Sequence, residues 1–282
     1  MHVYVAGVTF FALLCGLTLS STTALAQQKS VTTAVAAPNA PKPFSISAGL
    51  SKSVSLIDHS DGTRQESNDL EVKPSYNFGS FQALALFGFS DDVRDPGNSE
   101  LGDILVATSY KGWDVSRFNL SPSVTFVVPQ SKESRVNNNL ETAISTKLKV
   151  SVLEKYLLKG VSMSASASAG RNFHRYYTAL DGKVLNQYSS KQGFAVGYKL
   201  GIFSFDVDFT HINAWSYEGN LKEFYAHSEE ISVEIGKNFG FAVGLNNGPL
   251  GQPVFKEDGF SRNYEVIDEN NTLAYATVSM QY

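Results

Sequence analysis

Apolar and polar residues alternate with a period of two over most of the chain beyond Pro43. The stretch from Val161 to Ala169 (VSMSASASA) shows it most plainly, with Val, Met and three Ala at odd positions and four Ser between them. Successive side chains of a strand point to opposite faces, so this pattern predicts a β-strand with one apolar and one polar side. The same period runs through Phe194, Val196, Tyr198 and Leu200, through Phe203, Phe205, Val207 and Phe209, and through Phe239, Phe241, Val243 and Leu245. It also runs through Leu140, Ile144, Leu148, Val150 and Val152. Strands are predicted at about 44–57, 70–78, 81–90, 103–110, 118–128, 140–152, 161–177, 190–200, 203–215, 230–236, 239–246 and 273–282.

The links between these segments alternate in length. Gly79-Ser80 and Gly201-Ile202 leave room only for tight hairpins. Long polar connections are predicted over 59–69, 91–102, 130–139, 179–186, 217–227 and 247–263, and the longest of the short links is 153–160. Short turns at one edge and long loops at the other predict an all-β fold, an up-and-down antiparallel transmembrane β-barrel of about 12 strands. The turns would be periplasmic and the loops extracellular. A soluble sandwich would show the same alternation. The aromatic residues favour the barrel: Phe78, Phe81, Phe203, Phe239 and Tyr282 lie by the short turns. Tyr176, Tyr177, Trp215, Tyr217, Phe224 and Tyr225 lie near the long loops, so the two sets match the two membrane interfaces. Pro74 and Pro122 fall within strands, where a missing N–H predicts bulges. Leu84 and Leu86 fall on the polar side.

The first 26 residues read differently. An apolar run from Val3 to Leu19 leads through Ser20 to Ala24-Leu25-Ala26, the layout of a secretory signal cleaved after Ala26. No Lys or Arg precedes the run, so its positive end is His2 and the amino terminus. Cys15 follows the bulky Leu14, which argues against lipidation. It is the only cysteine, so residues 27–282 have no thiol for a disulfide, a nucleophile or a cysteine metal site. Residues 27–42 read as a flexible leader, with a segment folded back to narrow a pore as the alternative. The barrel is expected over 43–282. A formal net charge of −4 gives no basic surface for nucleic acid. No stretch of 18 consecutive apolar residues follows the signal, which excludes a helical membrane protein.

The last segment, Leu273 to Tyr282, carries a resemblance. Ala276, Val278, Met280 and the terminal aromatic Tyr282 fall on one face. This resembles the closing strand of Gram-negative outer-membrane β-barrel proteins, the porin-like class. The resemblance implies residence in the bacterial outer membrane, contact with its lipid and lipopolysaccharide, and insertion by the barrel-assembly machinery reading those residues. It also implies that this strand pairs with 44–57 to close the ring.

Twelve strands spaced ~4.8 Å and tilted ~40° enclose a backbone diameter of roughly 24 Å, leaving a passage of about 10 Å or less. By parity the inner face carries Glu71, Lys73, Arg117, Lys147, Lys149, Lys191 and Lys199, followed by Asp206, Asp208, Glu230 and Glu234. Cations on one arc and carboxylates on the next would set a transverse field on polar solutes. The competing expectation is that these charges pair and fill the interior. A narrow channel for small hydrophilic solutes is the expected function, with a structural or surface-recognition barrel as the alternative and an outer-membrane hydrolase behind both. His59-Ser60-Asp61 and His227-Ser228-Glu229 look like triads in letters, but neighbours in an extended chain point opposite ways. His211 is expected at the headgroup level outside. No catalytic residue, metal ligand or cofactor site is assigned, and nothing in the chain specifies an oligomeric state.

Overall fold

The computed structural model describes residues 43–57, 64–94, 99–247, 252–253 and 272–282. The predicted signal (1–26) and leader (27–42), His59 and Asp61, and most of the 247–263 connection lie outside them. Twelve strands make the wall: β1 Phe44–Ser55, β2 Glu66–Phe78, β3 Phe81–Asp92, β4 Ile104–Tyr110, β5 Phe118–Val128 and β6 Leu140–Val152. They continue as β7 Val161–His174, β8 Asn186–Leu200, β9 Phe203–Ser216, β10 Leu221–Ile235, β11 Phe239–Asn246 and β12 Leu273–Gln281. Each pairs antiparallel with its sequence neighbours, and β12 pairs with β1 from Ser47–Gln281 to Ser55–Leu273, which closes the ring. Three short strands add to this: Ser99–Leu101 beside β3, Trp113–Val115 beside β5 and Gln252–Pro253 beside β10.

The turns follow from residues that tolerate positive φ. Gly79 (φ 60°) and Gly201 (φ 63°) begin two-residue turns that join Phe78 to Phe81 and Leu200 to Phe203. Following the register once round the ring displaces it by about 16 residues, which at ~3.3 Å per residue and ~4.8 Å per strand tilts the strands by about 40°.

The distribution of burial separates a membrane barrel from a soluble sandwich. The buried polar residues include Ser53, Asn172, Ser189, Ser232, Thr277 and Ser279, while Phe205, Phe241, Leu50 and Val278 stand on the outer surface. Leu50 is 58% exposed and Val278, its partner across the seam, 53%. A water-soluble protein does not display such a continuous apolar surface, whereas hydrocarbon accepts it. Near the short turns, the rings of Tyr76, Phe78, Phe81, Tyr110 and Trp113 form an unbroken run with centroids 5.2–6.4 Å apart. This is one arc of the interfacial girdle. At the other rim Tyr177 stacks on Tyr217 at 4.5 Å within the loops, and Phe224 pairs with Ile212 on the inner face.

Several local expectations change. The connection from β9 to β10 is a four-residue turn, because the strands continue to Trp215 opposite Leu221. Its polar residues concealed a strand that runs beyond the membrane. Pro74 lies opposite Ile46 on the outer face, and the β2–β3 register is the same on either side of it, so it causes no bulge. Pro122 does mark an irregularity: the β4–β5 ladder ends at Ser109–Ser123 and resumes one residue out of step at Trp113–Leu120. A register shift between Leu140 and Thr142 takes Leu140 off the outward row and buries it opposite His174.

Candidate functional site: the inner face of the barrel

The inner wall is assembled from alternate residues of each strand. On β1 these are Ser45, Ser47, Gly49, Ser51, Ser53 and Ser55, opposite Ser75, Lys73, Glu71 and Asp69 of β2. On β7 they are Ser162, Ser164, Ser166 and Ser168, opposite Gly197, Ala195, Gly193 and Lys191 of β8. Such small side chains leave space. A Cβ at Gly197 would meet Asp206 Oδ1 at 2.4 Å and Ser162 Oγ at 2.6 Å, so this stretch of β8 lets its neighbours turn into the lumen. Gly244 serves a ring instead: a Cβ there would meet Tyr275 Cζ at 2.6 Å, because Tyr275 lies across it.

The charges fall into two groups. Some pair. Lys73 contacts Glu71 at 3.1 Å on the same strand, and Lys199 contacts Glu234 at 2.7 Å near the short turns. Glu230 accepts a hydrogen bond of 2.8 Å from the Tyr275 hydroxyl. Asp69 accepts from Ser90 Oγ at 2.7 Å and from Ser67 Oγ at 3.1 Å. Asp69 lies one residue before the predicted start of β2 at Leu70; the Ser-Asn-Asp run looks like loop until its partners on β1 are known.

Others stand apart. Lys147 and Lys149 on β6 face Ser123, Ser168 and Ser166, and Lys191 on β8 faces Ser168. None of the three forms an ion pair among the described residues, and Asp206 and Asp208 on β9 form none either. Arg117 lies outside the strands, in the turn before β5, with its guanidinium 5.5 Å from the Tyr156 ring centre. Thus the β6 lysines and the β9 carboxylates are separated along the wall by β7 and β8, whose inner residues between them are mostly Ser, Gly and Ala.

One arc of the wall is apolar. Leu86, Leu105, Val127 and Ala143 lie side by side across β3 to β6 and form a buried cluster. Leu84 continues it, opposite Ala107. Among the described residues the histidines form no catalytic grouping. His227 and Glu229 pair with Phe209 and Val207 on the outer face while Ser228 pairs with Asp208 on the inner one. His211 is also on the outer face, with Nδ1 3.1 Å from Gln192 Oε1 and Nε2 3.8 Å from Glu223. The described residues contain no group of His, Cys, Asp and Glu arranged to hold a metal ion.

No protein-family model and no curated protein matches this sequence. Solved structures do. An outer membrane channel from Pseudomonas putida F1 superposes with a TM-score of 0.59 at 11% identity, covering 86% of this chain and 97% of its own. The NanC porin superposes at 0.51, again at 11% identity, covering 84% of this chain and 98% of its own. The chain therefore shares the β-barrel fold of these two structures.

Proposed function

We propose that this protein is a narrow outer-membrane channel for small hydrophilic solutes. The observation that carries the reading is the set of unpaired charges on the inner face. An ionised side chain in a dry interior is held only when paired and hydrogen-bonded, since losing hydration costs several kcal/mol per ion. Lys147, Lys149, Asp206 and Asp208, which form no ion pair among the described residues, therefore call for water around them, which argues against an interior filled by side chains at that level. In this reading Lys147, Lys149, Asp206 and Asp208 act directly on the passing solute. Lys73, Lys199, Glu230 and Glu234, being partnered, shape the wall, and Arg117 stands at the periplasmic mouth. Opposed charge across a passage of about 10 Å orients dipolar solutes and penalises apolar ones.

Incorporation of the refolded protein into planar bilayers in molar KCl should give discrete conductance steps. Silence from protein with native heat-modifiable gel mobility, in every salt tried, would end the channel reading. Location in the outer membrane and insertion through Ala276, Val278, Met280 and Tyr282 belong to the same proposal. They rest on the barrel fold, the closing strand and the apolar Val3–Leu19 run. The protein recovered from outer membranes should begin at Gln27, as read by intact mass. A species retaining residues 1–26 would refute cleavage there.

A further inference from the structure

The outer face of β8, β9 and β10 breaks the apolar belt. Glu229 stands on it, exposed, in the row Val207–Glu229–Leu245, with the exposed Ile231 next along the same face. Six residues separate Glu229 from Ile235 at the periplasmic end of β10, the same count that separates Leu50 from the start of β1. At ~3.3 Å per residue and a ~40° tilt, its carboxylate lies roughly 15 Å above that turn, near the middle of an apolar band about 25 Å tall. A charged group at that depth is costly against hydrocarbon and is kept where something other than lipid covers it. Glu229 forms no hydrogen bond or ion pair among the described residues.

A matching donor lies on the other side of β9. Gln192 is on the outer face of β8, opposite Ala167 and His211. Its Oε1 is 3.1 Å from His211 Nδ1, and its Nε2 donates to Ser190 Oγ at 2.9 Å. An amide nitrogen carries two N–H donors, so one of them has no partner among the described residues. The row through Gln192 runs on to His211 and Tyr225, and Glu229 is four residues below Tyr225. Rows climb by about 16 residues per circuit of twelve strands, and so by about 2.7 over two strands. Glu229 and Gln192 therefore lie within roughly one residue's rise of the same height. Between them β9 presents Phe205, Val207 and Phe209, all exposed.

Two copies in one bilayer share the same up–down orientation, so a two-fold axis relating them runs along the membrane normal. Residues at one height then meet. With that axis against β9, β10 of each copy faces β8 of the other, and each Glu229 meets a Gln192. The face is thus self-complementary, as an isologous contact requires. We propose that it is the interface of a dimer of this chain, in which Glu229 of one copy accepts a hydrogen bond from Gln192 of the other. Phe205, Val207 and Phe209 of both copies pack around the axis. The contact lies outside the lumen and does not depend on what the lumen passes.

The test is energy transfer between donor- and acceptor-labelled full chains, each labelled through K159C in the β6–β7 turn, in lipid vesicles of decreasing protein density. Saturable association is expected, weakened about tenfold in E229L and in Q192L, with little further loss in the double variant. Q192E sets two carboxylates against each other and should abolish association, and Q192E/E229Q, which exchanges the partners, should restore it. V106A, on the far side of the barrel, should associate as the native chain does. Transfer no greater than random proximity at every density would overturn the dimer. Association that appears only when other outer-membrane proteins are added would overturn a second copy as the occupant. Unchanged association in Q192E with native gel mobility would remove the interface from this face.

Discussion

Replacing Asp206 and Asp208 by lysine should make the proposed channel strongly anion-selective, and replacing Lys147, Lys149 and Lys191 by glutamate should make it cation-selective. The native protein should sit between them. Three inner lysines and two inner aspartates form no ion pair among the described residues, and Glu230, hydrogen-bonded to Tyr275, brings the charges to three of each sign. A unit charge acts on an ion ~8 Å away with about 0.5–2 kcal/mol, for an effective dielectric constant between that of water and that of a protein surface. Reversing two aspartates changes the charge of the arc by four units, so the permeability ratio should move by tenfold or more. The reversal potential across a bilayer bathed in a tenfold KCl gradient measures this directly. Because both aspartates occupy the inner face beside Ala195 and Gly197, the longer side chains have room and folding should survive. The idea fails if the two variants shift the reversal potential in the same direction, or not at all. Raising the ionic strength should shrink both shifts, since screening lengths fall from ~10 Å at 0.1 M to ~3 Å at 1 M.

The second large effect contrasts two adjacent residues on β1. Leu50→Arg should destabilise the protein in lipid vesicles by about 2–4 kcal/mol, whereas Ser51→Arg should cost under about 1 kcal/mol. Leu50 faces outward between Leu70 and Val278, six residues above the start of the strand, near the middle of the apolar belt. A guanidinium there must either enter hydrocarbon or deform the bilayer. Ser51 faces inward between Asp69 and Thr277, where water and a carboxylate await the same group. Urea unfolding in bilayers of short-chain phosphatidylcholine, followed by tryptophan fluorescence, reports both numbers. A soluble sandwich that buried Leu50 would give the same order, so the contrast tests the assignment of faces and not the solvent outside. Equal losses in the two variants would refute the assignment of faces. Ser51→Arg has a further signature, a smaller single-channel conductance, since it adds a long side chain to the passage.

How much of this was legible beforehand varies with the kind of interaction. The strands, their parity and the closing partner of β12 could be read directly. Period-two alternation is a property of each strand alone, and a tight Gly turn such as Gly79-Ser80 fixes the register of its own hairpin. The inner and outer faces of β9 and β11 follow from that parity. Positions that break parity were not legible. The shift beside Glu141 leaves no mark in the letters, so Leu140 was assigned to the wrong face. The polar run from Tyr217 to His227 reads as loop although most of it is strand, because a barrel wall that continues past the membrane no longer needs apolar residues outside. Pro74 and Pro122 look alike in sequence, and only their neighbours show that one keeps the ladder in step and the other does not.

By itself, then, the sequence determined the class of fold and the number of strands. These depend on interactions within a strand or between strands joined by a short turn. The tertiary structure decided which charges meet. Lys199 finds Glu234 across two intervening turns, Lys73 takes Glu71 from its own strand, and Lys147, Lys149 and Lys191 form no ion pair among the described residues. Ion pairing needs side-chain ends to come within a few ångström, and that separation depends on tilt and register accumulated around the ring, which a linear pattern does not carry.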